Sequence, residues 1–216
     1  MVGVKTTVGE NATVKFYDTK LGPNPRRVRM FLAEKGIDVP KVEVDLGKME
    51  QKSEAYSRIN PLQRTPALEL DDGTVLTESV AICRFFEETN PEPPLFGVGP
   101  VGKAQVEMWQ RRSELNFLLP TAMAFRHSHP AMAAMEVPQI AQVAETNKPR
   151  VLDYLEVFDR QLADNEFTAG DRFSIADITA LCAADFMRLA RIKAPECLGN
   201  FARWYKAVSS RPSATA

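Results

Sequence analysis

The chain is poor in cysteine and carries no surplus of either charge. Cys83, Cys182 and Cys197, three among 216 residues, stand far apart with no paired spacing. That excludes a disulfide framework and the clustered thiolates of a zinc site, and it fits a reducing cytoplasm. A formal net charge of -1 excludes a global basic field for nucleic acid or an anionic membrane, so a charged ligand must be held by local groups. No segment approaches the roughly 20 apolar residues that span a bilayer. The opening MVGVKTTVGENAT lacks the apolar run of a secretory leader, so neither secretion nor membrane insertion is expected. Internal repeats and low-complexity segments are absent. What is present is a 44% hydrophobic composition, enough for one large domain or two small ones.

Two halves differ in their patterning. From Val14 to about Asn90, strand-like and helix-like stretches alternate, which predicts a small α/β unit. VKFY reads as a first strand. Asn24 and Pro25 then occupy N-cap and first-turn positions ahead of Val28, Phe31 and Leu32 on one helical face, and Gly36 closes the helix. VEVDL alternates as a second strand, and KMEQKSEAYSRI is either a short helix or a loop. PALEL and TVLT flank an Asp72-Gly73 turn, and Ser79 caps the helix VAICRFFEE. The run NPEPPLFGVGP, residues 90–100, is a linker by its prolines and glycines. Beyond it the chain reads as all-helical over residues 101–216. Val151, Leu152, Leu155, Phe158 and Leu162 mark one helix, and another is expected from about Ile175 to Ile192. Ser174 and Asp177 form a capping box, with Phe173 and Ile178 as the hydrophobic staple.

Pro66 stands at the mouth of the apolar run Ala67, Leu68, Leu70, where proline withholds a ladder hydrogen bond. Either it merely starts an edge strand, or it turns the chain so that the N–H and C=O of Thr65 face outward for a peptide to pair with. Glu78 and Ser79 follow at the next helix start. A helix N-terminus suits a carboxylate and Glu78 an ammonium, which together match an α-amino acid end. Lys52 would flank the same groove.

The order FYD, PNPRRVRMFLAEKGI, NPLQRTPALEL, DDGTVLTESVAICRFFEE, proline-rich linker and FSIADITA resembles a cytosolic glutathione transferase over nearly all of Val14 to Ser213. The detail is most similar to the bacterial and yeast-type subgroup with PNPRRVR after the first strand. The resemblance implies a thioredoxin-like N-terminal domain over residues 14–89, in which the Thr65-Pro66 bond is cis, and a helical-bundle C-terminal domain. It also implies a homodimer and glutathione as co-substrate, with no further cofactor and no metal. By position, Thr65 and Pro66 would receive the cysteinyl backbone, Glu78 and Ser79 the γ-glutamyl end, and Lys52 with Arg64 the glycyl carboxylate.

The family's chemistry is attack by the glutathione thiolate on a hydrophobic electrophile, a detoxification reaction. A free thiol with a pKa near 8.5 is only about 3% ionised at pH 7, so the site must lower that pKa. Gly22 stands at the usual serine or cysteine position and offers no side chain. Three substitutes remain. Asn24 can accept a helix N–H with its carbonyl while its amide donates to sulfur. Tyr17 resembles an older tyrosine position, and its hydroxyl alternatively reaches solvent. As the subgroup resemblance suggests, His127 can hold a water that takes the thiol proton, or it is a surface histidine near a helix end; it shares one helical face with Asn116, Pro120 and Met123, which line either an electrophile pocket or an interdomain packing surface. Two competing functions are a noncatalytic glutathione- or hydrophobe-binding module, and glutathione-dependent reduction of peroxides or disulfides.

Overall fold

The computed structural model describes residues 14–216; the leader reading of residues 1–13 lies outside them. The chain forms two compact units, the first running to Pro94 and the second spanning Leu95–Ala214.

In the first unit β1 (Lys15–Asp18) feeds α1 (Pro23–Lys35), which returns to β2 (Lys41–Glu43). The parallel pairing of β1 with β2 requires this crossover helix. A 3₁₀ turn (Glu50–Lys52) and a short helix α2 (Glu54–Ile59) precede the antiparallel pair β3 (Ala67–Glu69) and β4 (Val75–Thr77), and α3 (Ser79–Thr89) follows. The sheet order is β2-β1-β3-β4. Phe16, Val28, Phe31, Leu68, Ile82 and Phe86 are all fully buried and make the core of this unit. This is the thioredoxin-like arrangement expected for the first half.

The second unit holds only helices of any length: α4 (Gly99–Ser113), α5 (Leu119–Arg126), α6 (Ala141–Ala163), α7 (Ile175–Phe186) and α8 (Gly199–Ser209). None in the described chain is long and apolar enough to cross a membrane. The capping box at the start of α7 is present, and Asp177 serves more than its own helix. Its carboxylate, wholly buried, accepts from the Thr168 N–H (2.8 Å) and hydroxyl (2.6 Å), the Ser174 N–H (3.0 Å) and the Trp204 indole N–H (2.8 Å). Burial pushes its pKa up and those donors pull it down.

Several boundaries differ from the sequence expectation. α1 begins with Pro23, so Gly22 is the N-cap and Asn24 lies inside the first turn. α3 begins with Ser79 itself, capped by Glu78. β2 occupies Lys41–Glu43 rather than Val42 to Leu46. It stops because the Asp45 carboxylate accepts the Gly47 N–H at 2.8 Å and turns the chain. α7 ends at Phe186, and the Ile192 N–H returns to the Met187 carbonyl at 3.0 Å.

The segment SELNFLLPTAMAFRHSHP is not one regular helix. Between α4 and α5 lies a π-helical turn (Glu114–Leu118), where the Leu119 N–H bonds back to Glu114. Pro120 accounts for it. Its ring has no N–H and would collide with the Asn116 carbonyl in a regular α-turn, and the wider turn relieves both problems.

Candidate functional site

The first unit gathers most of the residues that the sequence singled out. The peptide between Thr65 and Pro66 is cis. The β3 ladder starts only at Ala67, paired to Tyr17 on one side and Thr77 on the other. Thr65 therefore lies outside the sheet, and neither its N–H nor its C=O has a partner among the described residues. The approach to this turn is fixed from below. The Arg64 carbonyl accepts from the Tyr56 hydroxyl at 2.8 Å and the Asn60 side-chain amide at 2.7 Å, and the Asn60 Oδ1 takes the Leu62 N–H at 3.0 Å. Both Tyr56 and Asn60 are buried. Their bonds hold an exposed peptide edge at a defined position.

Glu78 is exposed and adopts φ 64°, a left-handed conformation that costs a residue with a Cβ on the order of 1–3 kcal/mol. Its carboxylate has no partner among the described residues. Beside it, Ser79 opens α3. A side chain the sequence reading did not single out completes the arrangement. Arg27 is almost fully buried, and its Nη1 donates to the Ser79 hydroxyl at 2.6 Å and to the Asn24 Oδ1 at 3.2 Å. With its oxygen accepting from a guanidinium, the Ser79 hydroxyl has its own hydrogen left to donate. Cation, hydroxyl and helix N-terminus together favour a carboxylate, while Glu78 supplies the negative charge that an ammonium needs. The signal for Arg27 was its position three residues beyond Asn24, on the same face of α1.

The same bond settles how Asn24 is oriented. Its carbonyl accepts from Arg27 rather than from a helix N–H, which leaves the amide NH₂ as the outward donor. The first turn of α1 has little else to give, because Pro23 and Pro25 at the first and third helical positions carry no N–H. The backbone donor left in that turn is the Asn24 N–H. Gly22 before it has φ 110°, which a side chain adopts only with strain.

Tyr17 has a different occupation from a thiol donor. Its hydroxyl donates to Glu69 Oε2 at 2.6 Å across the β1-β3 pair, and burial together with that carboxylate pushes its pKa up to about 12. The Tyr17 hydroxyl, then Lys15, holds Glu69 below the usual carboxyl range. Lys52 and Arg64 are exposed, and neither side chain has a hydrogen bond or ion pair among the described residues.

In the second unit His127 is buried at the C-terminal end of α5, not on the surface. Its Nδ1 accepts the Ile140 N–H at 3.1 Å, so in the neutral ring the proton sits on Nε2, which lies 3.7 Å from Glu136 Oε1. Asn116 is exposed and donates to the Arg112 carbonyl at 3.1 Å; Pro120 is buried and Met123 half-buried. Grouped by spacing, these four sit at very different depths. The described residues include no cluster of three or more metal-ligating side chains.

Sequence and structure comparisons converge on one family. Residues 21–89 match the N-terminal domain of glutathione S-transferases and residues 118–212 match their C-terminal domain. Glutathione S-transferase 2 of Saccharomyces cerevisiae is 34% identical over 200 residues, covering 91% of this chain and 86% of that protein. Among solved structures, a glutathione S-transferase domain-containing protein of Marinobacter aquaeolei superposes with a TM-score of 0.89 at 34% identity, covering 92% of this chain and 98% of that one. A class Gtt2 glutathione S-transferase of Vibrio parahaemolyticus gives 0.81 at 36% identity, covering 92% and 94%. Matched by both domain models and by a relative 34% identical over 91% of its length, the chain belongs to the glutathione S-transferase family.

Proposed function

We propose that the protein conjugates the thiolate of glutathione to hydrophobic electrophiles, as a cytoplasmic homodimer of the bacterial and yeast-type subgroup marked by PNPRRVR, acting in detoxification. The observation that carries the reading is the Arg27 guanidinium bonded to both Ser79 and Asn24. It ties the end of the site that suits an α-amino acid to the end that has a hydrogen-bond donor to offer a sulfur.

In this reading the outward N–H and C=O of Thr65, at the Pro66 turn, pair with the cysteinyl backbone. Ser79 and the start of α3 take the γ-glutamyl carboxylate, Glu78 its ammonium, and Lys52 with Arg64 the glycyl carboxylate. The Asn24 N–H and amide donate to the sulfur and favour its charged form, lowering its pKa. From the second unit, Asn116, Pro120, Met123 and His127 are assigned to the electrophile pocket, with His127 holding the water that takes the thiol proton. The thiolate then attacks the electrophilic carbon, the carbon–sulfur bond forms, and the leaving group departs with its electron pair.

Retention on immobilised glutathione, and a thioether product from glutathione and an aromatic halide, are the expected results. Retention without turnover across a broad electrophile panel would instead mean a binding module. Oxidised glutathione in place of a thioether, with peroxide or disulfide as acceptor, would mean a reductase.

A further inference from the structure

Tyr56 lies in α2 and Asn60 is its C-cap, and both are buried. Their spacing of four residues puts them on one face of the helix. The Tyr56 hydroxyl at 2.8 Å and the Asn60 side-chain amide at 2.7 Å donate to a single oxygen, the Arg64 carbonyl. A carbonyl oxygen has two lone pairs, and here both are taken. The two donors are held in their turn. Asn60 Oδ1 takes the Leu62 N–H at 3.0 Å, and the Tyr56 ring meets that of Tyr17 edge to face, with centroids 5.9 Å apart. Burial, with Tyr17 beside it, pushes the Tyr56 pKa up to about 12, so the hydroxyl keeps its proton through neutrality.

The oxygen they fill belongs to the peptide group whose other polar end is the Thr65 N–H. A peptide group is one conjugated unit, so protons held at its oxygen draw electron density from its nitrogen and make the N–H a stronger donor. The Thr65 N–H has no partner among the described residues. The gain is therefore kept for a ligand. With its oxygen fixed from two sides, the planar group can point its N–H in only one direction, which lowers the ordering cost of binding.

We propose, resting on the glutathione reading above, that Tyr56 and Asn60 are positioning residues for glutathione. By filling the Arg64 carbonyl they aim and polarise the Thr65 N–H, which donates to the cysteinyl carbonyl of the ligand. Their part is in affinity, and they take none in the chemistry at sulfur.

Three variants of the full chain test this. Tyr56→Phe removes one donor and leaves the ring in place. Asn60→Asp keeps an oxygen for the Leu62 N–H and removes the other donor. Ser57→Ala cuts a bond of the same turn, from the Gln63 side-chain amide at 3.0 Å, that does not reach Arg64. In ligand-free protein carrying isotope-labelled threonine, the Thr65 amide resonance should move upfield in the first two variants and stay in place in the third. Calorimetric titration with glutathione should give a Kd about fivefold higher in the first two, the loss expected of one neutral hydrogen bond, and an unchanged Kd in Ser57→Ala. With an aromatic halide as electrophile, KM for glutathione should rise in step while kcat at saturating glutathione stays within about twofold of the parent. A Thr65 resonance unmoved in both donor variants overturns the proposal, as does a Kd unchanged in both, a fall in kcat that matches the rise in KM, or an equal effect of Ser57→Ala. A parent chain that does not bind glutathione overturns the glutathione reading and this role with it, whereas a parent that binds while both donor variants bind equally well overturns this role alone.

Discussion

Arg27 reaches from α1 to place Nη1 2.6 Å from the hydroxyl of Ser79, the first residue of α3. Two helix starts separated by the whole β2–β4 stretch of sequence are thereby held by one buried guanidinium. Arg27→Ala removes a charge-assisted bond of about 1.5–3 kcal/mol at a buried position. Under the proposed function, kcat/KM for glutathione should fall by roughly ten- to a hundredfold, a range that follows from that energy. Steady-state kinetics with glutathione varied, on protein shown to be folded by circular dichroism, would read this out. Arg27→Lys keeps the charge but lacks the fork, so it should restore only part of the loss.

Asn24 gives a prediction with a sign in pH. A donor to sulfur stabilises the thiolate, so Asn24→Ala should move the rise of kcat/KM to higher pH. Asn24→Asp, which sets a negative charge beside the sulfur, should move it further, by about one unit or more. Activity near neutrality drops in both variants and is largely recovered at alkaline pH. A pH–rate profile unchanged in both variants would remove Asn24 from the proposed chemistry.

Tyr17→Phe should act on stability and not on turnover. Its hydroxyl is spent on Glu69, so kcat/KM should stay within about twofold of the parent, with a stability loss of about 0.5–1 kcal/mol for a half-exposed hydrogen bond. The pH window has two edges. Tyr17 is raised to about 12, so its contribution holds below its ordinary value and fades as pH climbs through 12. Glu69 is lowered, so its share holds above the ordinary carboxyl range and fades as pH falls through the depressed value. Denaturant melts of parent and variant should differ at neutral pH and converge at both extremes.

Gly22→Ser tests whether a hydroxyl can be accommodated at the N-cap of α1. At φ 110° the new Cβ is strained even though it would meet only Pro25 Cδ, 3.8 Å away. A stability loss of about 1–2 kcal/mol is expected, measured by denaturant melts, with no gain in kcat.

Asp177→Asn should be the most destabilising of these changes, by about 3 kcal/mol or more. An amide NH₂ turned among the N–H donors of Thr168, Ser174 and Trp204 leaves at least one of them unsatisfied in the interior. Thermal melts should show the drop, and retention on immobilised glutathione should survive if the first unit remains folded.

The legible parts of this fold were those written in local pattern. The alternation around Phe16 and Leu68, the Asp72-Gly73 turn and the Ser174/Asp177 box each depend on residues within a few positions of one another. What stayed hidden depended on distance or on a competing partner. Tyr17 looked available because Glu69 lies 52 residues away in sequence. His127 looked exposed because its contact with Ile140 comes from the chain that follows α5. Asn24 looked like a cap because two prolines obscured which of them opened the helix. The four-residue spacing from Asn116 to Pro120 assumed a regular helix, and Pro120 itself enforces a wider turn.

Pro23 and Pro25 leave the first turn of α1 with a single backbone donor, on residue 24. A main-chain N–H survives every substitution at that position except proline. Under the proposed function, a substitution at position 24 would therefore trim the side-chain contribution to stabilising the sulfur anion while sparing the main-chain one.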